Sequence, residues 1–142
     1  MRVAFYNQMF GFDGRSLYTF LRDHKTIHFN KTPDMAYVRS EISRTIDIIK
    51  KSKAEIVGIC EILEGQEEKL RKLLKEIGYK YVFFGTGHLL TCGLKVKIAL
   101  ASKLKCVQKN VEGFPVESRT GGAEGLFLVI FLRRNFILLS LI

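Results

Sequence analysis

Apolar positions along this chain switch between two periods, and the switches mark its elements. Arg2-Val3-Ala4-Phe5-Tyr6-Asn7 is β-branched and aromatic and ends in an amide, which predicts a first strand. From Gln8 to Asn30 no period holds. Glycines, aromatics and charges mix there, which predicts a loop with one short helix near Ser16 to Arg22. Thr32-Pro33-Asp34 is a helix start, with a hydroxyl N-cap, Pro at the first helical position and an acid in the first turn. Val38, Ile42, Thr45, Ile46 and Ile49 then recur at three and four, so this helix should run to about Ser52. Ala54 to Leu63 is a run of apolar, mostly β-branched residues with one acid at its entry, Glu55, and another near its tip, Glu61. Such a run suits a strand covered on both faces.

A second helix follows. Acids open it at Glu67 and Glu68, Leu70, Leu73, Leu74 and Ile77 share one face, and Gly78 closes it. Tyr79 to Gly85 reads as a third strand and Thr86 to Gly93 as a loop. Leu94 to Leu100 begins with strict alternation of apolar residues and lysines, which predicts a half-exposed strand. Val107 to Val111 is a further short strand and Glu112 to Gly125 a loop. Leu126–Leu132 and Phe136–Ile142 form a closing hairpin. Two early helices between strands, then strands in succession, predict an α+β fold: a mixed β-sheet with helices on one face.

Composition narrows the class. A chain of 142 residues makes one domain, and 47% hydrophobic against 26% charged residues excludes a disordered chain. Mean hydropathy is slightly positive, and eleven residues are Phe. The formal charge of +9 favours a polyanionic partner, or else is a basic solvated surface with none. Cys60, Cys92 and Cys106 have no zinc-site spacing, and an odd count argues against a disulfide framework. Residues 1–12 lack a secretory apolar core. Leu126–Ile142 is split by Arg133, Arg134 and Asn135 and is too short to span a bilayer. A cytoplasmic protein without a membrane span is the expectation.

Two strand tips carry chemistry. If the first two strands are parallel neighbours, Asn7 and Glu61 reach the same sheet edge. A carboxylate with an amide oxygen suits Mg²⁺, which keeps several waters and borrows phosphate oxygens. The same residues also serve as ordinary turn formers. Phe10, Phe12, Tyr18 and Phe20 are read either as base-stacking groups or as cover for the core. Lys95, Lys97 and Lys103 are either a phosphate-backbone stripe or the wet face of an amphipathic strand.

Val3-Ala4-Phe5-Tyr6-Asn7 followed by Ala54-Glu55-Ile56-Val57-Gly58-Ile59-Cys60-Glu61-Ile62 resembles the opening of the endonuclease/exonuclease/phosphatase superfamily. The helix up to Gly78-Tyr79, the segment from Gly93 to Lys103 and the late hairpin agree with it in order and spacing. Cys60 departs from the pattern, since the family often has Gln before its catalytic Glu. The resemblance implies half of a four-layer α/β/β/α sandwich, with residues 1–142 a single incomplete domain. It implies Glu61 and Asn7 as catalytic and metal-holding residues: Glu61 would hold Mg²⁺ (or Mn²⁺), and Asn7 would orient the ion or the phosphate. Arg119 falls where a phosphate contact is implied, although an Arg beside Gly121-Gly122 is also an ordinary solvated loop residue.

The reaction implied is hydrolysis of a phosphodiester or phosphate ester, with nucleic acid or another phosphoester as substrate. The family's later His, Asp-x-Asn and terminal Asp-His groups have no counterparts among these residues, and His24, His28 and His88 do not match their positions. The expectation is therefore a truncated hydrolase, inactive alone. The alternatives are a non-catalytic basic nucleic-acid-binding module or a subunit completed by a partner chain. A missing second sheet would leave Val3, Phe5, Val57, Ile59, Phe127 and Val129 or their neighbours on an exposed face, and hence self-association through it.

Overall fold

In the computed structural model, the described residues are 1–11, 21–22, 25, 42–90, 93–117, 123–131 and 136–140. Seven strands and two helices account for most of them. In chain order these are β1 (Val3–Asn7), a 3-10 turn (Met9–Gly11), α1 (Ile42–Ser52), β2 (Ile56–Leu63), α2 (Glu67–Glu76), β3 (Tyr81–Leu89), β4 (Lys95–Ser102), β5 (Cys106–Glu117), β6 (Ala123–Phe131) and β7 (Phe136–Ser140). Residues 21, 22 and 25 are helical. The helix start at 32–34 lies outside the described residues.

The first sheet has the order β1-β2-β4-β3. β1 pairs parallel with β2, whereas β2 with β4 and β4 with β3 are antiparallel, so the sheet is mixed. The parallel pair is fixed at its base. Glu55 N–H donates to Arg2 O at 2.8 Å, Arg2 N–H donates to the Glu55 carboxylate at 3.0 Å, and the N-terminal ammonium lies 3.5 Å from the same carboxylate.

One face of this sheet carries the helices. Ile42, Ile46 and Ile49 of α1 and Leu70 and Leu74 of α2 pack with Val57, Ile59, Ile62, Val82, Ala99 and Ala101. The three- and four-residue spacings predicted that stripe, and the buried set matches it. Tyr79 is fully buried at the join and its hydroxyl donates to Ala54 O at 2.8 Å, linking the end of α2 to the entry of β2.

Several expectations change here. β4 is a central strand: Ile98, Ala99, Leu100, Ala101 and Ser102 are buried on both faces, and alternation is visible only at its lysine-bearing start. Val57 and Ile59 do not face solvent; they lie under the helices, because β2 presents Ile56 and Cys60 to the opposite face. On that opposite face Ile56, Ile98 and Leu100 are themselves buried, with Val3, Tyr81 and Phe83 against them. Phe5 is exposed at 53%, as expected for one member of the list. The side chains of Phe127 and Val129 lie outside the described residues.

A second sheet is present rather than missing. β5, β6 and β7 form an antiparallel meander, and β5 and β6 approach β3. β5 extends to Glu117 through Gly113 and Pro115, where a loop was expected. It is an edge strand, and its register with β6 shifts between Gly113 and Glu117, a place where a backbone without an N–H is tolerated.

Tyr79→Phe should cost about 1–3 kcal/mol, since it strands a buried carbonyl. Burial raises the Tyr79 phenol above its ordinary pKa. This contribution is complete below the ordinary tyrosine value of about 10 and is lost as pH rises through the raised one. Denaturant melts of wild type and variant should therefore differ at neutral pH and converge in strong alkali; parallel curves throughout would contradict this.

Candidate metal site at the tips of β1 and β2

The parallel register sets Val3 against Ile56 and, at the far end, Asn7 against Cys60. Asn7 and Glu61 thus arrive at one sheet edge, as their positions at two strand tips predicted. Asn7 follows Val3 and Phe5 by alternation onto the face away from the helices. Its side chain is exposed, and Oδ1 accepts from Met9 N–H at 2.7 Å, which fixes the amide in an Asx turn.

Glu61 owes its position to a bulge. Between Ile59 and Ile62, β2 has one more residue than the facing stretch Ala99 to Lys97 of β4. Strict alternation would send Glu61 to the face of Val57 and Ile59, under the helices. Instead Ile62 takes that face, fully buried, and Glu61 is left half-exposed at the edge with φ 55°. A carboxylate in the apolar core would carry a desolvation penalty of several kcal/mol. The left-handed backbone that avoids it costs about 1–2 kcal/mol in an L-residue.

Strain gathers at this edge. Four described non-glycine residues have positive φ: Met9 at 48°, Phe10 at 58°, Lys53 at 54° and Glu61 at 55°. Glu61 belongs to the candidate site, and Met9 and Phe10 flank it. Gly11 at 72° completes a left-handed turn closed by Gly11 N–H to Gln8 O at 2.9 Å. Residues in such conformations persist only where their surroundings hold them, and they concentrate at functional sites.

Beneath the edge lies a buried amide pair that sequence reasoning missed. Gln8 N–H donates to Cys60 O at 3.0 Å, and Gln8 Nε2 donates to Gln66 Oε1 at 2.8 Å. The same Oε1 accepts from Leu63 N–H at 3.0 Å, while Gln66 Nε2 donates to Phe10 O at 3.0 Å. Gln66 stands at the N-cap of α2 yet makes no side-chain capping bond. The signal available was two glutamines beside a strand tip and a helix start, which sequence alone does not separate from solvated residues.

Cys60, opposite Asn7, is held protonated. Burial, reinforced by the neighbouring Glu61 charge, raises its thiol pKa despite a backbone hydrogen bond that lowers it. It contacts Tyr6 O at 3.8 Å and is no activated nucleophile. The remaining candidates divide. Phe10 is buried against Leu63, Leu90 and Val96, so it covers the core. Lys97 lies 3.8 Å from Glu67, Lys103 sits 4.7 Å over the Tyr79 ring, and Lys95 is exposed. The lysines do not form one free stripe. Arg119, His24, His28, Phe12, Tyr18, Phe20 and Gly121-Gly122 lie outside the described residues, as does the His88 side chain. Among the described residues no group of three or more His, Cys, Asp or Glu is gathered to hold a metal ion. No described helix is long and apolar enough to cross a membrane.

The fold is α+β, with the helices on one face of a mixed sheet and a second sheet begun by the late strands. It is the fold of part of an endonuclease/exonuclease/phosphatase protein. A solved endonuclease/exonuclease/phosphatase from Beutenbergia cavernae DSM 12333 superposes with a TM-score of 0.67 at 16% sequence identity, over 96% of this chain and 35% of that one. At that identity the likeness is one of fold, and this chain accounts for well under half of that protein's length. No family model matches the chain, and no curated protein matches its sequence.

Because the strain at Glu61 is a backbone property, glycine should relieve it where alanine does not. Glu61→Gly is expected to be about 1 kcal/mol more stable than Glu61→Ala, both lacking the carboxylate. Thermal melts of the two variants decide it, and an equal or lower stability for the glycine variant would mean the residue is not held in the left-handed region.

Proposed function

We propose that these 142 residues are the metal-holding part of a Mg²⁺-dependent phosphoester hydrolase of the endonuclease/exonuclease/phosphatase type. One observation carries the reading: the bulge at residues 60–61 turns the Glu61 carboxylate out of the core at the same edge that holds the Asn7 amide. The fold shared with the Beutenbergia cavernae protein supports it.

The donor set fits a hard divalent cation. One half-exposed carboxylate and one exposed amide oxygen leave most coordination positions to water and to phosphate oxygens, which is how Mg²⁺ is commonly held beside a phosphoester. Asn7 Oδ1 retains a second lone pair beyond its bond to Met9 N–H. Glu61 would hold the ion, and Asn7 would orient the phosphate or a water beside it. When bound, the ion supplies charge stabilisation at the phosphoryl oxygens as water displaces the leaving group. Mn²⁺ would serve in the same place.

Turnover also needs a general base and further phosphate ligands. The later His, Asp-x-Asn and Asp-His groups of the resembled family are not among these residues. The 142-residue chain is therefore an incomplete domain that binds the ion and turns over little by itself. Its net charge of +9 favours a polyanionic substrate such as nucleic acid.

Mn²⁺ titration followed by water-proton relaxation should show one site in the chain that Glu61→Gln removes. Hydrolysis of bis(p-nitrophenyl) phosphate by the same preparation should stay at the Glu61→Gln background. Binding unaffected by Glu61→Gln would overturn the site, and turnover abolished by that substitution would overturn the claim of inactivity.

A further inference from the structure

We propose that Gln66 is the positioning residue of the Asn7–Glu61 edge, a role that rests on the metal-holding reading of that edge. Gln66 is buried at 8% exposure, and its carboxamide reaches the backbones that adjoin both halves of the site. Oε1 takes Leu63 N–H, two residues past Glu61, and so fixes the strand where β2 leaves its bulge. Nε2 reaches Phe10 O inside the left-handed turn that begins two residues past Asn7. The Gln8 amide closes the third link at 2.8 Å, while the Gln8 backbone N–H holds Cys60 O.

One side chain therefore braces both strained segments. A left-handed turn at Met9–Phe10 and a left-handed Glu61 are each disfavoured locally, and each relaxes unless held. Relaxation of the turn frees Met9 N–H from Asn7 Oδ1. Relaxation of the bulge lets Glu61 fall back toward strand alternation. Gln66 stands at the N-cap position of α2 without capping it, and its side chain turns instead to the ends of β1 and β2. Both amide ends are needed, since one accepts from β2 and the other donates to the turn. A residue with only acceptors or only donors cannot replace it.

A purely structural role and a positioning role separate in one experiment. A structural role lowers the melting temperature of Gln66→Met but leaves the Mn²⁺ dissociation constant of the folded protein unchanged. Positioning raises that constant, by about 10-fold or more, the usual effect of losing a group that orients a ligand from behind. The measurement is Mn²⁺ titration of wild type, Glu61→Gln and Gln66→Met under conditions where circular dichroism shows each to be folded. Should Gln66→Met not fold, Gln66→Asn carries the same test, because its shorter arm cannot span all three partners.

An unchanged constant in the Gln66 variant, beside loss of binding in Glu61→Gln, overturns the proposal and leaves the metal reading intact. If wild type shows no Glu61-dependent binding, the metal reading fails, and amide hydrogen exchange decides the bracing. Faster exchange at Gly11 and Leu63 with β4 protection unchanged supports it, and unchanged exchange at both overturns it.

Discussion

The parallel pairing of β1 with β2 is the constraint on which the rest of this structure depends. It places Asn7 opposite Cys60 and brings the two strand tips to one edge. Its far end is closed by Gln8 N–H to Cys60 O and its near end by the Arg2–Glu55 bonds. Parallel neighbours need a crossover, and α1 supplies it, burying Ile42, Ile46 and Ile49 against the sheet. That packing covers Val57 and Ile59, while the strand pairing sets the register and the bulge in β2 turns Glu61 outward.

The bulge in β2 shows how a conflict between packing and chemistry is resolved. Ile59 and Ile62 both belong in the helix-side core, but a regular strand cannot put residues three apart on one face. An added residue in left-handed backbone reconciles them, and Glu61 is that residue. The apolar residues around Glu61 thus help to expose it. The same end of the sheet shows a second irregularity, between Thr86 and Leu89 of β3, so β4 is flanked by register shifts on both sides where its lysines begin.

Much of this was legible in the sequence where a period was long and clean. The stripe of Ile42, Ile46 and Ile49, the face of Leu70 and Leu74, and the apolar run of β2 each have one consistent structural solution. The edge shared by Asn7 and Glu61 was legible as well, because Asn7 ends one recognisable strand and Glu61 lies near the end of its parallel neighbour. Facing was not: the sequence leaves open whether Val57 and Ile59 or their neighbours take the outer face, since a run apolar at nearly every position carries no alternation from which to read a face. It is the neighbours Ile56 and Cys60 that lie there. The alternating start of β4 misled in the other direction, as Lys95 and Lys97 lie beyond the part of the strand that the sheet buries on both sides. Pro115 and Gly113 read as a loop because they forbid a central strand, yet an edge strand with an irregular register accepts them. The Gln8–Gln66 pair left no trace, because a buried amide network depends on contacts between segments 58 residues apart.

The central claim is that Asn7 and the bulged Glu61 form one cation-holding edge. A crystal structure of the 142-residue chain grown with Mn²⁺, using anomalous scattering to locate the ion, tests this most directly. The account predicts Mn²⁺ at coordination distance from a Glu61 oxygen, roughly 2.0–2.6 Å as for hard cations on oxygen, with Asn7 beside it and Glu61 still in left-handed backbone. Manganese bound elsewhere, or Glu61 in an extended strand with its carboxylate turned from Asn7, would contradict it.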